Sequence, residues 1–433
     1  MIDINYIREK PEEARDALLK RMDQVDFTDL LSWDSERRTI IGEVEQLKAR
    51  RNTVSSEVPK LKKAGEDVSG LIEEMKEVSA KIKELDARVS EVSSRISDYL
   101  SGLPNIPADD VPAGGKDQNR VEWTGGEPPV FDFEPADHVA LVESLGLIDY
   151  ERGAKIGGNG FWLYRGMGAR IEWALLNLFV EEHLADGYEF VLPPHLLVDQ
   201  CGFTAGQFPK FSDDVYHLEH DDEGQGHFLL PTAETALINV HRDEILAEAD
   251  LPLKYFSYTP CYRREAGSYR ARERGMIRGH QFNKVEMFQY TRPEDSEATF
   301  DELVKKAERL VEKLGLHYRV SRLAARDCSA SMAKTFDIEV WIPSMDSFME
   351  VSSISNAHTY QARLGNIRFR RESTKKPEFI HTLNASGLAT SRIFPALVEH
   401  YQQSDGSLVL PEILASRVGA AREGDARSRS PGR

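Results

Sequence analysis

The residues best suited to bind an anion lie between positions 255 and 290 of the 433-residue chain. The segments 255–262 and 283–290 are rich in aromatic and β-favouring residues and predict two strands. Between and beside them are the arginines Arg263, Arg264, Arg270, Arg272, Arg274 and Arg278. The planar guanidinium pairs with phosphate or carboxylate through two hydrogen bonds. The stretch therefore predicts a hairpin that grips a polyanion, with a long solvated hairpin as the plain alternative.

Carboxylates near this hairpin could complete a binding site. Glu265 follows the first predicted strand, and Glu286 lies within the second. The segment 229–234 (LLPTAE) ends another predicted strand in a hydroxyl and a carboxylate, Thr232 and Glu234. Taken singly, each of these residues is equally compatible with ordinary polar surface.

Two further segments could handle phosphate. The segment 349–356 (MEVSSISN) places an acid and hydroxyls along one predicted strand, and this combination suits Mg²⁺, which prefers carboxylate oxygens plus phosphate and water. The segment 384–392 (NASGLATSR) predicts a turn of small residues entering a helix, with Arg392 just inside. Small residues permit close backbone approach, and a helix N-terminus favours anions. A polar edge strand and an ordinary capped helix are the plain interpretations. Neither a Walker loop nor a strand–GxGxxG–helix unit is present.

Composition narrows the class of protein. Hydrophobic residues make up 40% and charged residues 29% of the chain, which is typical of a soluble globular protein. No apolar run approaches the roughly 20 residues that a membrane helix needs, and the N-terminus has no signal or transit character, so we expect a cytoplasmic protein without membrane contact. Three widely spaced cysteines predict neither zinc nor disulfides. The net charge of −17 disfavours nucleic-acid binding unless local basic patches provide it.

One such patch lies on a predicted helical hairpin at about 28–102. Apolar residues recur at steps of 3 and 4 along both arms, at Ile40, Val44, Leu47, Val54, Val58 and Leu61 in the first and at Leu71, Met75, Val78, Ile82, Leu85, Val89, Val92, Ile96 and Tyr99 in the second. This heptad seam and a turn at 64–67 predict an antiparallel coiled coil, with the first helix bending or ending near Pro59. The basic residues of the first arm are Lys48, Arg50, Arg51, Lys60, Lys62 and Lys63. They form either a phosphate-binding arm or an ordinary solvated face.

The remaining chain predicts an α+β domain with a large, mostly antiparallel sheet. Strand signals recur at 226–231, 254–262, 283–290, 318–323, 336–342 and 347–353, with helices between several of them. We predict a helical arm at 1–104, a Pro- and Gly-rich linker at 105–135, a catalytic domain at 136–420 and a disordered tail at 421–433. The segment 168–198 predicts an amphipathic helix feeding a strand, suited to packing on a sheet or to a partner interface.

Taken in order, these motifs resemble the class II seryl-tRNA synthetases. The resemblance covers about residues 1–415 and rests on the basic hairpin together with TAE (232–234), CYRRE (261–265), HQFNKVEMF (280–288), EVSS (350–353) and SGLATSR (386–392). It implies an N-terminal helical arm that grips the long variable arm of tRNA. It also implies a class II catalytic domain, built on an antiparallel sheet flanked by helices, and a homodimer formed largely through 168–198.

The resemblance also implies roles for individual residues. The catalytic residues would be Arg263, Glu286 and Arg392. Serine would be bound by Thr232, Ala233, Glu234, Arg263, Glu286 and Ser386. ATP would be bound by Arg263, Arg264, Glu265, Glu350, Val351, Ser352, Ser353 and Arg392, with Glu350 and Ser353 holding Mg²⁺. The tRNA would be bound by Lys48, Arg50, Arg51, Lys60, Lys62 and Lys63.

The implied reaction is ATP-dependent activation of L-serine followed by transfer to tRNA(Ser), with tRNA(Sec) as a further candidate. Arginines and Mg²⁺ would offset the repulsion between the serine carboxylate and the α-phosphate. Ala385, Thr390-Ser391 and Arg264 depart from the family pattern, and Pro59 and Pro395 are unusual, which would suit a divergent second copy with a specialised role in secondary metabolism or inhibitor resistance. The sequence is also compatible with a ligase that loads serine onto a carrier protein and with a non-catalytic binding protein.

Overall fold

A computed structural model describes residues 1–220, 224–265 and 275–419 of the chain. The predictions made for Arg270, Arg272 and Arg274, and for the tail at 421–433, lie outside the described residues. Contacts divide the chain into two compact units, one formed by residues 2–104 and the other by Met1 together with the residues from 105 onward.

The first unit is helical. It consists of α1 (Ile4–Glu9), α2 (Pro11–Leu19), α3 (Thr28–Ala64) and α4 (Ser69–Gly102). The long helices α3 and α4 pack together, as the heptad pattern predicts, and bury Val44, Val54, Ile82, Leu85, Val92, Ile96 and Leu100. At the end of the seam Leu100 is buried, whereas the Tyr99 hydroxyl donates to the Asp26 carbonyl.

The helix α3 continues through Pro59 to Ala64. The helix therefore does not end at Pro59, but at a glycine six residues later. Gly65 has a φ of 82°, and its N–H donates to the Leu61 and Lys62 carbonyls. Glycine adopts this left-handed conformation without steric cost, so it closes the helix where proline does not.

The second unit is α+β, as predicted. Its helices are α5 (His138–Ser144), α6 (Tyr150–Gly157), α7 (Gly166–Ala185), α8 (Asp199–Thr204), α9 (Ala233–Leu237), α10 (Ser296–Lys313), α11 (Tyr360–Leu364), α12 (Thr390–His400) and α13 (Glu412–Val418). Its strands are β1 (Arg120–Gly125), β2 (Ile148–Asp149), β3 (Leu163–Tyr164), β4 (Glu189–Phe190), β5 (Leu196–Val198), β6 (Tyr216–His217), β7 (His227–Leu229), β8 (Ile245–Ala247), β9 (Leu253–Tyr262), β10 (Gln281–Thr291), β11 (Tyr318–Arg322), β12 (Lys334–Ile342), β13 (Ser347–His358), β14 (Arg368–Arg370), β15 (Pro377–Phe379) and β16 (His381–Ala389).

Eight of these strands form the main sheet, in the order β1-β11-β12-β13-β16-β10-β9-β4. Every neighbouring pair is antiparallel except β4 and β9, which run parallel. The strand β1 lies inside the segment predicted as a linker. It pairs with β11 because a short β-favouring run, Val121–Trp123, interrupts the Pro- and Gly-rich stretch.

Alternation along the central strands separates a core face from a polar face. The core side chains are Val285 and Met287 on β10, Leu383 and Ala385 on β16, Ile354 on β13, and Phe336 and Ile338 on β12. The intervening residues line a cavity, namely Lys284 and Glu286, Asn384 and Ser386, Ser353 and Ser355, and Thr335 and Asp337. Helix α10 covers the core face against β16 and β13. The sheet is thus a platform that presents polar groups on one side.

Helix α12 is anchored by a buried carboxylate. Glu399 is fully buried and accepts hydrogen bonds from the His138 backbone N–H and from the Ser344 backbone N–H, both at 2.8 Å, and from the Ser344 hydroxyl at 2.7 Å. The helix runs without interruption through Pro395. This anchoring fixes the helix whose first turn contains Arg392.

Candidate active site

The polar face of the sheet forms the floor of a cavity of about 550 Å³. Most of the residues predicted from the sequence to bind serine or ATP line it together: Thr232, Glu234, Arg263, Glu265, Glu286, Glu350, Ser353, Ser386 and Arg392. They come from β10, β13, β16, α9, α12 and the segment after β9, which are far apart in the sequence. The fold therefore brings together in one cavity groups that were chosen from separate motifs.

Glu286 lines this cavity and is fully buried. It is directly opposite Ser386 in the register of β10 and β16. Its carboxylate accepts hydrogen bonds from the Asn384 amide at 3.2 Å and from the Ser386 hydroxyl at 3.4 Å, and it forms an ion pair with Lys284. A carboxylate buried to this degree requires such partners.

A second carboxylate, Glu234, is nearly as deeply buried at the start of α9. Its oxygens accept from Gln361 Nε2 at 2.7 Å and from Asn384 Nδ2 at 3.4 Å. Burial, followed by the nearby negative charge of Glu286, raises the pKa of Glu234 to about 7. Thr232 caps the same helix, and its hydroxyl oxygen accepts from the Glu234 backbone N–H at 3.3 Å.

Arg263 is held by backbone carbonyl and aromatic contacts at the end of β9. Its Nε donates to the Pro231 carbonyl at 3.3 Å, and its guanidinium lies 5.2 Å from the centre of the Phe282 ring. The side chains of the next two residues, Arg264 and Glu265, lie in different places. Glu265 lines the cavity and pairs with Arg278, whereas Arg264 is exposed and donates to the Asp213 carbonyl at 2.9 Å. The Arg264 side chain therefore lies outside the lining of the cavity.

Arg392 lines the cavity and belongs to the first turn of α12. It donates through Nη1 to the Glu350 carbonyl at 2.8 Å and through Nε to the Ile277 carbonyl at 3.3 Å. The Glu350 carboxylate lies 3.3 Å from the same Nη1. Arg392 is thus positioned before any ligand binds.

Among the other predicted ligands, Ala233 and Val351 are buried and do not line the cavity. Ser352 is buried as well, and its hydroxyl donates to the Ser386 carbonyl at 2.5 Å. Its contact is therefore with the backbone of β16. Ser353 faces the cavity opposite Asp337.

Asp337 has an oxygen, Oδ1, that finds no hydrogen-bond donor within the described parts of the chain. Burial and the neighbouring Glu350 raise the pKa of Asp337 well above its ordinary value. The oxygens of Glu350, Ser353 and Asp337 on one wall match the ligand preference of Mg²⁺. In residues 1–220, 224–265 and 275–419, no group of three or more His, Cys, Asp or Glu side chains could hold a metal alone.

Of the six basic residues predicted to bind tRNA, Arg51 is half-buried and the other five divide into two groups. Lys48 Nζ lies 3.2 Å from Asp86 Oδ1, and Arg50 Nη2 lies 3.1 Å from Glu74 Oε1. These two ion pairs therefore connect α3 with α4. Lys60, Lys62 and Lys63 near the end of α3 are exposed. The exposed group has the greater access to an external polyanion.

Four residues of the site were missed by the sequence interpretation. They are Lys284, Asn384, Gln361 and Glu172. The first two could have been found, because each lies two positions before a predicted ligand on a strand and so shares its face. Gln361 on α11 reaches Glu234 only through the tertiary fold, and no local pattern signals it.

Glu172 links three elements behind the site. It lies on α7, and its Oε1 accepts from Asn283 Nδ2 on β10 at 2.7 Å and from the Thr390 hydroxyl on α12 at 2.5 Å. Burial raises the pKa of Glu172 to about 7. This carboxyl thereby fixes the start of the helix that presents Arg392.

Comparisons with known proteins agree with this architecture. The family model of the seryl-tRNA synthetase N-terminal domain matches residues 1–107, and that of the class II tRNA synthetase core domain (G, H, P, S and T) matches residues 216–401. The chain is 60% identical to "Serine--tRNA ligase 2" of Clostridium acetobutylicum over 421 residues, which cover 97% of this chain and 99% of that protein. The chain belongs to the seryl-tRNA synthetase family.

Other members of the seryl-tRNA synthetase family are similar over the same length. The serine--tRNA ligase of Geobacillus kaustophilus is 45% identical, with 97% of this chain and 99% of that protein covered. The crystal structure of the Pyrococcus horikoshii seryl-tRNA synthetase complexed with ATP superposes with a TM-score of 0.89 at 35% identity, covering 97% of this chain and 99% of that one. The predicted family and fold class are therefore confirmed. Within the described parts of the chain, no helix is long and apolar enough to span a membrane.

We predict that Glu172→Gln changes how stability depends on pH. The folded-state pKa of about 7 lies above the ordinary value of 4.5, so the protonated carboxyl stabilises the fold at low pH and this contribution is lost as the pH rises through 7. The loss amounts to roughly 3 kcal/mol. The variant should therefore gain unfolding free energy relative to wild type between pH 5 and pH 8, measured by denaturant unfolding.

A matched control is Glu151→Gln, because Glu151 is exposed on α6. It should retain the pH dependence of the wild type. A Glu172→Gln variant whose unfolding free energy follows the wild-type pH profile would contradict the role assigned to burial.

Proposed function

We propose that the protein activates L-serine with ATP and transfers the seryl group to the 3′ end of tRNA(Ser). The observation that supports this most directly is the single cavity in which two buried carboxylates and two anchored arginines meet. Such a cavity can bind an amino acid and a polyphosphate next to each other. Full-length similarity to serine–tRNA ligases supports the same conclusion and does not favour a carrier-protein ligase or a non-catalytic protein.

The first step is an attack by a serine carboxylate oxygen on the α-phosphorus of ATP. The bond from this phosphorus to the bridging oxygen breaks, and pyrophosphate leaves with the bonding electrons. Arg263 would bind the α-phosphate and the serine carboxylate, and Arg392 would bind the terminal phosphates. Two anions must approach each other, so fixed positive charge stabilises the transition state without a protein nucleophile.

In the second step a terminal ribose hydroxyl of tRNA attacks the acyl carbon of seryl-adenylate. The ester forms, AMP leaves, and the hydroxyl proton is released. Glu265 would face the adenine, and Thr232, Glu234, Glu286 and Ser386 would hold the serine moiety through both steps. Glu350 and Ser353 would hold Mg²⁺, which when bound would neutralise phosphate charge.

We predict that Arg263→Ala and Arg392→Ala each lower serine-dependent ATP–pyrophosphate exchange by about 10²–10³-fold, the usual effect of removing one transition-state donor. Thermal melting should stay close to that of the wild type. Arg152→Ala is the control, because that arginine is exposed on α6 and pairs with Asp149, which precedes the helix. Near-normal exchange in either active-site variant would refute its assigned role.

The helical unit is proposed as the tRNA-binding arm, in keeping with the matched N-terminal family model. Phosphate contacts by lysine and arginine release counterions from nucleic acid and make binding salt-dependent. The exposed Lys60, Lys62 and Lys63 are the best placed for such contacts, whereas Lys48 and Arg50 are already paired.

The double variant Lys62→Glu/Lys63→Glu should raise the KM for tRNA and leave pyrophosphate exchange unchanged. Losing two phosphate contacts should reduce the slope of log affinity against log salt by about 2. The matched control is Lys375→Glu/Lys376→Glu, which makes the same charge change at adjacent lysines in the other unit. Equal effects of the two pairs on tRNA charging would argue against a specific arm contact.

A homodimer formed through the region 168–198 is part of the proposal. In this region Trp173 is 56%, Leu184 is 51% and Leu192 is 69% exposed, and large apolar side chains with this much exposed surface suit a covered interface.

We predict that Trp173→Glu shifts the protein towards monomer in sedimentation equilibrium. Ile156→Glu, at a site that is 78% exposed on α6, should leave the association state unchanged. A Trp173→Glu protein that sediments like the wild type would place the interface elsewhere.

A further inference from the structure

The strand β16 breaks its side-chain alternation just before the chain enters α12. Asn384 and Ser386 line the cavity, so strict alternation would place Leu388 there as well. Leu388 is instead fully buried in the apolar core. The orientation of the strand must therefore change after Ser386, within the segment that connects the proposed serine site to Arg392.

The register of β10 and β16 contains a β-bulge at this point. Ser386 lies opposite Glu286, and Ala389 lies opposite Lys284. Two steps along β10 thus match three along β16, so β16 carries one extra residue within 387–388. A bulge interrupts the regular ladder, and buried backbone groups beside it need other hydrogen-bond partners.

Two side chains supply such partners. The Ser386 carbonyl accepts from the Ser352 hydroxyl at 2.5 Å, and the Gly387 carbonyl accepts from His183 Nε2 on α7 at 3.1 Å. A carbonyl can only accept, so the proton of the His183 ring lies on Nε2. Burial lowers the pKa of His183 to about 4, so the ring is uncharged and keeps this tautomer at neutral pH.

The contact between His183 and Gly387 is close and well fixed. His183 is 1% exposed and lies against the rings of Tyr188 and Phe256, with centroid distances of 6.1 and 5.5 Å. A Cβ atom at Gly387 would collide with His183 Nε2, so this approach requires glycine. The other ring nitrogen, Nδ1, has no partner in the described parts of the chain, which is a cost that an apolar side chain would avoid. The hydrogen bond from Nε2 is therefore the feature that explains a histidine at this position.

Helix α7 fixes both ends of the chain between the bulge and α12. His183 holds Gly387, and three residues further on the Thr390 hydroxyl donates to Glu172 of the same helix at 2.5 Å. Both anchoring side chains are buried. The path of this segment is consequently set by its contacts with α7.

We propose that His183 is a positioning residue for the activation step. By holding the bulge, it sets the position of Ser386, which would bind serine, relative to Arg392, which would bind the terminal phosphates of ATP. Each substrate can bind without this alignment, but the attack of one on the other requires it, because reaction rates depend steeply on the relative placement of the reacting groups. This inference rests on the proposed serine-activating function.

The matched pair His183→Met and His183→Gln tests the proposal, because the two side chains have similar length and only glutamine ends in a donor. His183→Met should lower the kcat of serine-dependent ATP–pyrophosphate exchange by about 10- to 100-fold, the range for a small misplacement of reacting groups. The KM values for serine and for ATP should stay near those of the wild type. His183→Gln should recover most of the kcat, since its Nε2 can donate to the Gly387 carbonyl.

Exchange is measured on the full chain, together with thermal melting. Equal kcat values in the two variants would overturn the proposal, because the donor would then have no effect on the reaction. A rise in either KM with kcat unchanged would overturn it in favour of a direct effect on substrate binding. A lower melting temperature with normal kcat would reveal a structural role only.

The control is His317→Met. His317 Nδ1 also contacts a backbone carbonyl, that of Gly125 at 3.0 Å, but His317 lies outside the lining of the cavity. This variant loses a comparable hydrogen bond and should keep the wild-type kcat. A loss as large as that of His183→Met would overturn the proposal, because the effect would then not be specific to the bulge.

If His183→Met does not fold, His183→Asn replaces it, because asparagine keeps an amide but is one methylene shorter than glutamine. Its kcat should fall while that of His183→Gln persists, and equal values would overturn the proposal. Failure of both His183→Met and His183→Asn to fold would assign the histidine to folding and would also overturn it.

The wild type separates the proposed function from the role of His183. Absence of serine-dependent exchange in the wild type would refute the proposed function itself. Normal exchange in the wild type leaves only the role of His183 in question, and the two variants then decide it.

Discussion

Two carboxylates, Glu234 and Glu286, are buried side by side on the polar face of the sheet, and many of the neighbouring groups compensate their negative charge. Burying a charge without partners is strongly unfavourable, and two like charges raise the cost further. The Lys284 ammonium pairs with Glu286, and the amide nitrogens of Gln361 and Asn384 donate hydrogen bonds to the carboxylates. Compensation remains incomplete, because the pKa of Glu234 stays raised at about 7. A cationic ligand group would complete it, so this electrostatic arrangement favours binding an amino acid over stability of the empty cavity.

The sheet makes this arrangement possible by using its two faces differently. Alternate residues of β10 and β16 enter the apolar core, which fixes the register, and the residues between them meet in the cavity. A shift of one residue in the register of β10 would place Val285 or Met287 in the cavity instead of Glu286. The apolar side chains of the strand would then face the cavity rather than the core. The same apolar packing that stabilises the domain therefore positions the chemical groups, and the site needs no separate scaffold.

The local patterns predicted much of this architecture. The predicted strands at 254–262 and 283–290 correspond to β9 and β10, which extend them by one or two residues. The predicted candidate ligands mostly line one cavity, because each was chosen beside a strand end or on an alternating strand. The strand β1 was not foreseen, since its stability comes from pairing with β11, almost 200 positions away in the sequence. Likewise, Arg264 was grouped with Arg263 by adjacency, although successive side chains of an extended chain point in opposite directions.

The two arginines show why positive charge alone does not explain the site. Each guanidinium is already tied to backbone carbonyls, Arg263 to Pro231 and Arg392 to Ile277 and Glu350. Carbonyl acceptors hold a guanidinium in place without cancelling its charge, whereas the Glu350 carboxylate, 3.3 Å from Arg392 Nη1, partly offsets the charge of that arginine. Charge fixed in advance stabilises a developing anion without reorganisation at the moment of reaction, which is the main electrostatic advantage of an enzyme over water. The chain carries a net charge of −17, so local anchoring rather than overall charge must create the positive potential. The position of each arginine is consequently set by the elements that supply those carbonyls, and it depends on packing as much as on the arginine itself.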